Sequence, residues 1–269
     1  MTKVLRSSRA LFRVSGPDAQ KLLFDVLTGR LVAEAGPAVW WALLSPQGKI
    51  QAEGLSAWRD GAFWLDVNAD AADDFQRRMR MYRLRAKADI DDLRATHVVG
   101  WSDDAAAGDA DPRALGSRLI AEKGVDWRDD EAPFVAARIG RGIAELGPDF
   151  APDTVFPHDI GMDLLHGIDF QKGCYVGQEV VSRMEHRGTA RRRPVIVSGI
   201  PTGAAAGARL LAGERDAGTI GYAVDGKAVA VLRLDRIKDE EAATVGGIPV
   251  RLTLPAWAPY RFGESASDG

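Results

Sequence analysis

Apolar residues recur along this chain with two different periods, and the composition changes near residue 193. Before it, helical stripes alternate with strand-like runs. Ser15-Gly16-Pro17-Asp18 predicts a helix start, with a capping serine, a proline suited to the first turn and an aspartate at the positive end of the dipole. Leu22, Leu23, Val26 and Leu27 make one face, and Gly29 marks a stop. Val39 to Leu44 and Phe63 to Val67 read as strands, the first leading into a turn at Ser45-Pro46-Gln47-Gly48. A second helix is expected from Asn68, with Phe75, Met79 and Tyr82 as its stripe. Asp70, Asp73 and Asp74 fall early in it and Arg77, Arg78, Arg80 and Arg83 late, the charge order that opposes the macrodipole. Residues 102–111 are small and polar and predict an exposed loop. Asp111-Pro112 predicts a short helix carrying Leu115 and Leu119, and residues 133–143 another that ends at glycines. From Gly147 to Gly173 the pattern is irregular, as in structured loops that line sites. Gly177 to His186 predicts a helix with Val180 and Met184 on one face.

After about Arg193 the composition changes. Segments 194–200, 219–224 and 228–234 are rich in Val and Ile, with turns at Pro201-Thr202-Gly203 and Asp225-Gly226. Ile248, Val250, Leu252 and Leu254 alternate strictly, the mark of a half-buried strand. The expected architecture is an α+β body over 1–193, a small β-barrel over 194–262 and a disordered tail over 263–269.

Composition narrows the function classes. With 269 residues, 46% hydrophobic and 27% charged, the chain is an ordinary globular one. A net charge of −3 gives no global pull toward nucleic acid or anionic membrane, so neither is expected as a partner. No apolar run approaches the ~20 residues that cross a bilayer. One cysteine excludes an internal disulfide and any multi-cysteine zinc or iron–sulfur site within one chain. That fits a reducing compartment, and the cytoplasm is the expected location. The basic start (Lys3, Arg6, Arg9, Arg13) has the charge of a transit peptide, but Leu11-Phe12-Arg13-Val14 before a helix start reads as folded structure. There is no P-loop, no dinucleotide fingerprint and no metal-ligand spacing, so no metal site is expected; His186 lacks partner histidines.

The chemistry concentrates in Lys172-Gly173-Cys174-Tyr175-Val176-Gly177-Gln178-Glu179, which holds the lone cysteine. Cys174 falls just before a helix N-terminus, where the dipole favours thiolate, and Lys172 can add to that. Gly173 and Gly177 permit close backbone approach and positive φ. The alternative is that Cys174 is a small buried hydrophobe and Glu179–Arg183 a surface i, i+4 pair. Arg183, His186, Arg187, Arg191, Arg192 and Arg193 follow; such a strip can hold a carboxylate, a phosphate or an RNA backbone, or be a solvated boundary between domains. Upstream, Asp159, Asp163 and Asp169 flank His158 and His166, and a carboxylate there could accept paired N–H groups of a heterocycle.

The Lys172–Glu179 motif, with Arg183 and Arg187-Gly188, resembles the signature of YgfZ-type folate-binding proteins, relatives of the glycine cleavage T-protein, an aminomethyltransferase. Weaker similarity covers Arg9 to Thr28, Leu44 to Ile50, Tyr82 to Arg85 and Arg138 to Gly142. The resemblance implies a T-protein-like body of two intertwined α+β modules around a central channel that holds tetrahydrofolate, followed by a β-barrel. It implies an accessory factor for assembly or repair of iron–sulfur enzymes, with assembly proteins or client enzymes as partners. Lys172 and Cys174 would be the reactive residues, Gly173 and Gly177 motif glycines, and Asp159, Gln178, Glu179 and Arg187 the folate contacts. Asp159 stands where T-proteins place a folate-binding glutamate. Asp91 or Asp92 falls near the aminomethyltransferase catalytic aspartate, which keeps one-carbon transfer to tetrahydrofolate as an alternative. RNA binding or tRNA modification, an older label for bacterial members, is the other.

Overall fold

The structure is a computed structural model that describes residues 2–188 and 190–263. The tail expected to be disordered lies outside the described residues from 264 onward. The chain forms two compact units, each assembled from separate stretches. One comprises the residues up to Phe134 together with Leu165–Gln178; the other comprises Val135–Leu164 and the chain from Glu179 onward.

The first unit holds two antiparallel sheets. Its strands are β1 (Lys3–Leu5), β2 (Arg9–Ser15), β3 (Val39–Leu44), β4 (Ile50–Arg59), β5 (Ala62–Asn68), β6 (Asp89–Asp92), β7 (His97–Ser102), β8 (Asp109–Ala110) and β9 (Ser117–Glu122). The orders are β3-β4-β5-β2-β6 and β1-β7-β9-β8. Helices α1 (Ala19–Val26) and α2 (Ala72–Arg83) bury the expected faces: Leu22, Leu23 and Val26 on the first, Phe75 and Met79 on the second. Phe75 meets Phe12 at 5.3 Å and Trp41 at 5.4 Å between ring centroids, so α2 packs its stripe on aromatic residues of β2 and β3. The basic N-terminal stretch is folded, as β1 and β2.

Inside this apolar frame lies a charged centre. Arg9 donates to Asp66 at 2.8 Å and to Glu53 at 3.3 Å, and Arg118 donates to Asp66 at 3.0 Å. Trp40 donates its indole N–H to Glu53 at 2.9 Å. All five are buried. The two guanidinium groups and the indole N–H give both buried carboxylates partners in the interior.

Two local expectations fail for identifiable reasons. Ser15 does not cap α1. It ends β2, paired with Ala62 and Asp89, while the Asp18 carboxylate accepts Lys87 N–H at 2.7 Å and α1 stops at Val26, before Gly29. Asp111-Pro112 opens no helix. The Asp111 carboxylate accepts from the Arg113 backbone N–H and side chain at 2.9 Å, and the turn closes with Asp111 N–H on Gly116 O. Leu119 then lies in β9, opposite Gly100, so its four-residue spacing from Leu115 is no helical stripe.

In the second unit the chain carries α3 (Ala132–Arg141, begun before the unit boundary), a 3-10 turn (Pro157–Ile160), α4 (Gln178–Arg187) and seven strands. These are β10 (Arg192–Ser198), β11 (Arg209–Ala212), β12 (Arg215–Ile220), β13 (Lys227–Arg233), β14 (Ala243–Val245), β15 (Ile248–Pro249) and β16 (Arg251–Thr253). Their order, β15-β14-β11-β12-β13-β10-β16, places two consecutive strands at its two ends. The segment expected as one strand over 248–254 therefore bends at Val250. Its first half pairs with β14 and its second with β10, closing a nearly complete barrel around an apolar core. Ile248 is consequently exposed, while Val250 and Leu252 face inward. Outside the barrel, buried Arg138 pairs with Asp149, which also accepts Glu145 N–H at 2.8 Å.

Candidate functional site

The motif straddles the boundary between the units at Gln178, and its residues do different work. Asp169 starts the local order: its carboxylate accepts the N–H groups of Gln171 at 2.9 Å and Lys172 at 3.2 Å, an Asx-type turn. Thr28 ties that loop to α1, accepting Asp169 N–H on its carbonyl and donating its hydroxyl to Gly167 O at 2.7 Å. Lys172 then turns inward. Its buried ammonium donates to the carbonyls of Phe24 (2.8 Å), Leu27 and Gly29 (3.3 Å), capping the C-terminus of α1. The rings of Phe24 and Tyr175 flank it at 5.0 and 4.7 Å. Burial pushes this ammonium down to about 8, against the opposing influence of Asp169 and Asp25.

Two residues on, Cys174 is exposed. The alternative of a buried packing thiol does not hold. Tyr175 is buried again, and burial raises its hydroxyl. Gly177 has φ +80°, and a Cβ there would meet Ser45 O at 2.6 Å, so the residue is pressed onto the β3–β4 turn and admits only glycine. Gly173 shows neither constraint: its φ is ordinary and a Cβ would touch Phe24 at 3.4 Å. The thiol is thus presented on a short segment pinned on both sides, by Lys172 and by Tyr175 with Gly177.

Gln178 opens α4, half-buried, with its N–H on Tyr175 O at 3.2 Å. Glu179 is exposed and pairs with Arg183 at 2.8 Å, the surface i, i+4 pair. Arg187 is exposed at the end of the helix. Asp159 is buried in the 3-10 turn, where its carboxylate accepts Phe156 N–H at 2.9 Å. Arg193 braces that turn, donating to His158 O and to Asp163, both at 2.8 Å. His158 Nε2 lies 3.3 Å from Glu185, and burial holds its imidazole below the usual value despite both carboxylates. His158, Asp163 and Glu185 present ligand-type atoms within 4.8 Å of one another, but the Arg193 guanidinium already neutralises Asp163. The arginine strip is no single patch: Arg183 and Arg193 are ion-paired, and Arg192 lines a separate cavity. Sequence reading missed the carbonyl partners of Lys172 and the role of Thr28, because neither leaves a motif.

Asp91 and Asp92 bear on transferase chemistry. Both are in β6; Asp91 pairs with Arg13 at 2.8 Å and Asp92 with Arg94 at 2.6 Å. Hydrogen bonds from Arg94 hold the Asp92 carboxyl low, which ill suits a proton donor.

Residues 191–260 match the CAF17 C-terminal β-barrel domain. The aminomethyltransferase T of the Bartonella henselae glycine cleavage system superposes with a TM-score of 0.72 over 97% of this chain and 87% of that one, at 17% identity. The chain is therefore a T-protein-fold protein, mixed α and β, with a CAF17-type C-terminal barrel. The particular proteins it is similar to are the iron–sulfur cluster assembly factors IBA57, whose bacterial relatives are the YgfZ-type proteins. A Pyricularia oryzae homologue is 34% identical over 69% of this chain and 54% of its own length, and the human protein 26% identical over 93% and 83%. The chain spans little more than half the length of the fungal relatives it matches. These relatives are named mitochondrial, which overturns the cytoplasmic expectation. A lone cysteine marks only a place where thiols stay reduced, so it never distinguished the two. Among the described residues no helix is long and apolar enough to cross a membrane.

Proposed function

We propose that the chain is a tetrahydrofolate-binding accessory factor in the assembly or repair of iron–sulfur enzymes, with Cys174 as its contact to the cluster or to a redox partner. The observation that carries this reading is the exposure of Cys174 between two immobilised neighbours, Lys172 and Tyr175. One thiolate cannot hold a cluster, so the remaining ligands come from an assembly protein or a client enzyme. Similarity to proteins named as iron–sulfur cluster assembly factors supports the same role. The residues also suit folate in kind: a buried carboxylate at Asp159 for the N–H edge of a pterin, and the exposed Arg187 for a glutamate tail. Bound folate would supply a one-carbon carrier. The one-carbon transferase reading is the weaker, because both candidate aspartates are held by arginine.

In cells lacking the native protein, Cys174→Ala is expected to fail to restore iron–sulfur enzyme activity while accumulating as folded protein. Full restoration removes the proposed role of the thiol. Titration of reduced folates into purified protein is expected to saturate, and to weaken in Asp159→Asn and Arg187→Gln; unchanged binding in both variants defeats the folate assignment.

A further inference from the structure

The second unit contains a cavity of about 490 Å³ that none of the motif residues lines. Its volume falls in the range of small-molecule sites. Phe150, Val155 and Val231 give it an apolar wall, and Gly207, Gly218 and Thr219 a small, polar one. Two carboxylates reach it, and both are already committed. Asp149 pairs with Arg138, and Asp216 accepts Gly218 N–H at 3.0 Å and lies 3.4 Å from Arg209. One cation remains. Arg192, exposed on β10, makes no ion pair or side-chain hydrogen bond among the described residues. A planar guanidinium beside an apolar wall matches one kind of ligand, a compact apolar body with a single anionic head.

We propose that this cavity binds a small carboxylate- or phosphate-bearing molecule, with Arg192 gripping the anionic head and Phe150 and Val231 covering the body. The site is independent of the proposed folate contacts and of Cys174, so its failure leaves that reading standing.

The test is a titration of the isotope-labelled full chain, followed at the Gly207, Gly218 and Thr219 amides by NMR, with benzoate, phenyl phosphate and neutral benzyl alcohol as probes. Saturable shifts are expected with at least one anion and not with the alcohol; whichever anion binds more tightly identifies the head group. Arg192→Gln should weaken binding about tenfold, the effect of losing one charge-assisted contact. Ala206→Phe, a surface change that fills the cavity, should abolish it, and Arg215→Gln, a nearby exposed charge off the cavity wall, should leave it unaltered. The proposal is overturned if neither anion gives saturable shifts, if benzyl alcohol binds equally well, or if Arg215→Gln weakens binding as much as Arg192→Gln.

Discussion

Arg9, Arg118, Glu53 and Asp66 sit inside the first unit, joined by hydrogen bonds between strands distant in sequence, whereas Val195, Leu210, Leu232 and Val245 fill the barrel of the second with no charge among them. The two interiors are held in different ways. An apolar barrel core tolerates small shifts in shape and loses stability in proportion to the volume removed. A buried ionic centre gains little net stability but penalises every arrangement that leaves a charge alone. The charged centre thus constrains strand register in the unit that carries Lys172 and Cys174, and the barrel contributes bulk stability to its own unit.

The contrast can be broken first at Asp66. Asp66→Ala leaves Arg9 and Arg118 without it and is expected to cost about 3–5 kcal/mol in chemical denaturation. Burial raises this carboxyl, but Arg9 and Arg118 pull it below its ordinary 3.8. Its contribution is therefore complete above that value and lost as the pH falls below it and through the folded-state pKa. Wild type should lose stability in this acid range and Asp66→Ala much less so. Leu232→Ala in the barrel should cost about 2–4 kcal/mol, with no comparable acid dependence of its own.

Lys172 lies between these two cases, a buried cation answered by backbone carbonyls. Lys172→Met should cost about 1–3 kcal/mol, since it leaves the end of α1 uncapped. Because the folded-state ammonium is pushed to about 8 from 10.5, the unfolded chain binds more protons above pH 8, and stability should rise from there toward pH 10. Loss of that rise in Lys172→Met checks the assignment, and its persistence would place the titrating group elsewhere. Cys174→Ala should change stability by less than about 0.5 kcal/mol, as for exposed residues in general. A larger loss would mean that the thiol packs.

Much of this was legible from periodicity. The α2 stripe and the Val- and Ile-rich barrel strands follow from spacing, because each buries a single face; the helix after Gly177 was also legible, but its buried residue is Val181 and not the expected Val180 and Met184. Leu115 and Leu119 misled because two apolar residues four apart also occur where a turn enters a strand. The bend at Val250 was invisible because alternation of side chains continues through a change of partner strand. Within the site, the position of Cys174 was legible from its neighbours. The engagement of Lys172 was not, since its partners are carbonyls 143–148 positions away and every residue has a carbonyl. Glycine spacing suggested two constrained positions, and only Gly177 carries the constraint.

The shared corner of β15 and β16 makes the last part of the barrel its keystone. A stop codon ahead of Ile248 would remove the chain from 248 onward, β15 and β16 included, and so strip hydrogen-bonding partners from β14 and β10 together, baring two unpaired edges at once. Shortened versions of this protein should therefore self-associate through those strands, and a tag meant to leave the barrel monomeric belongs beyond Thr253.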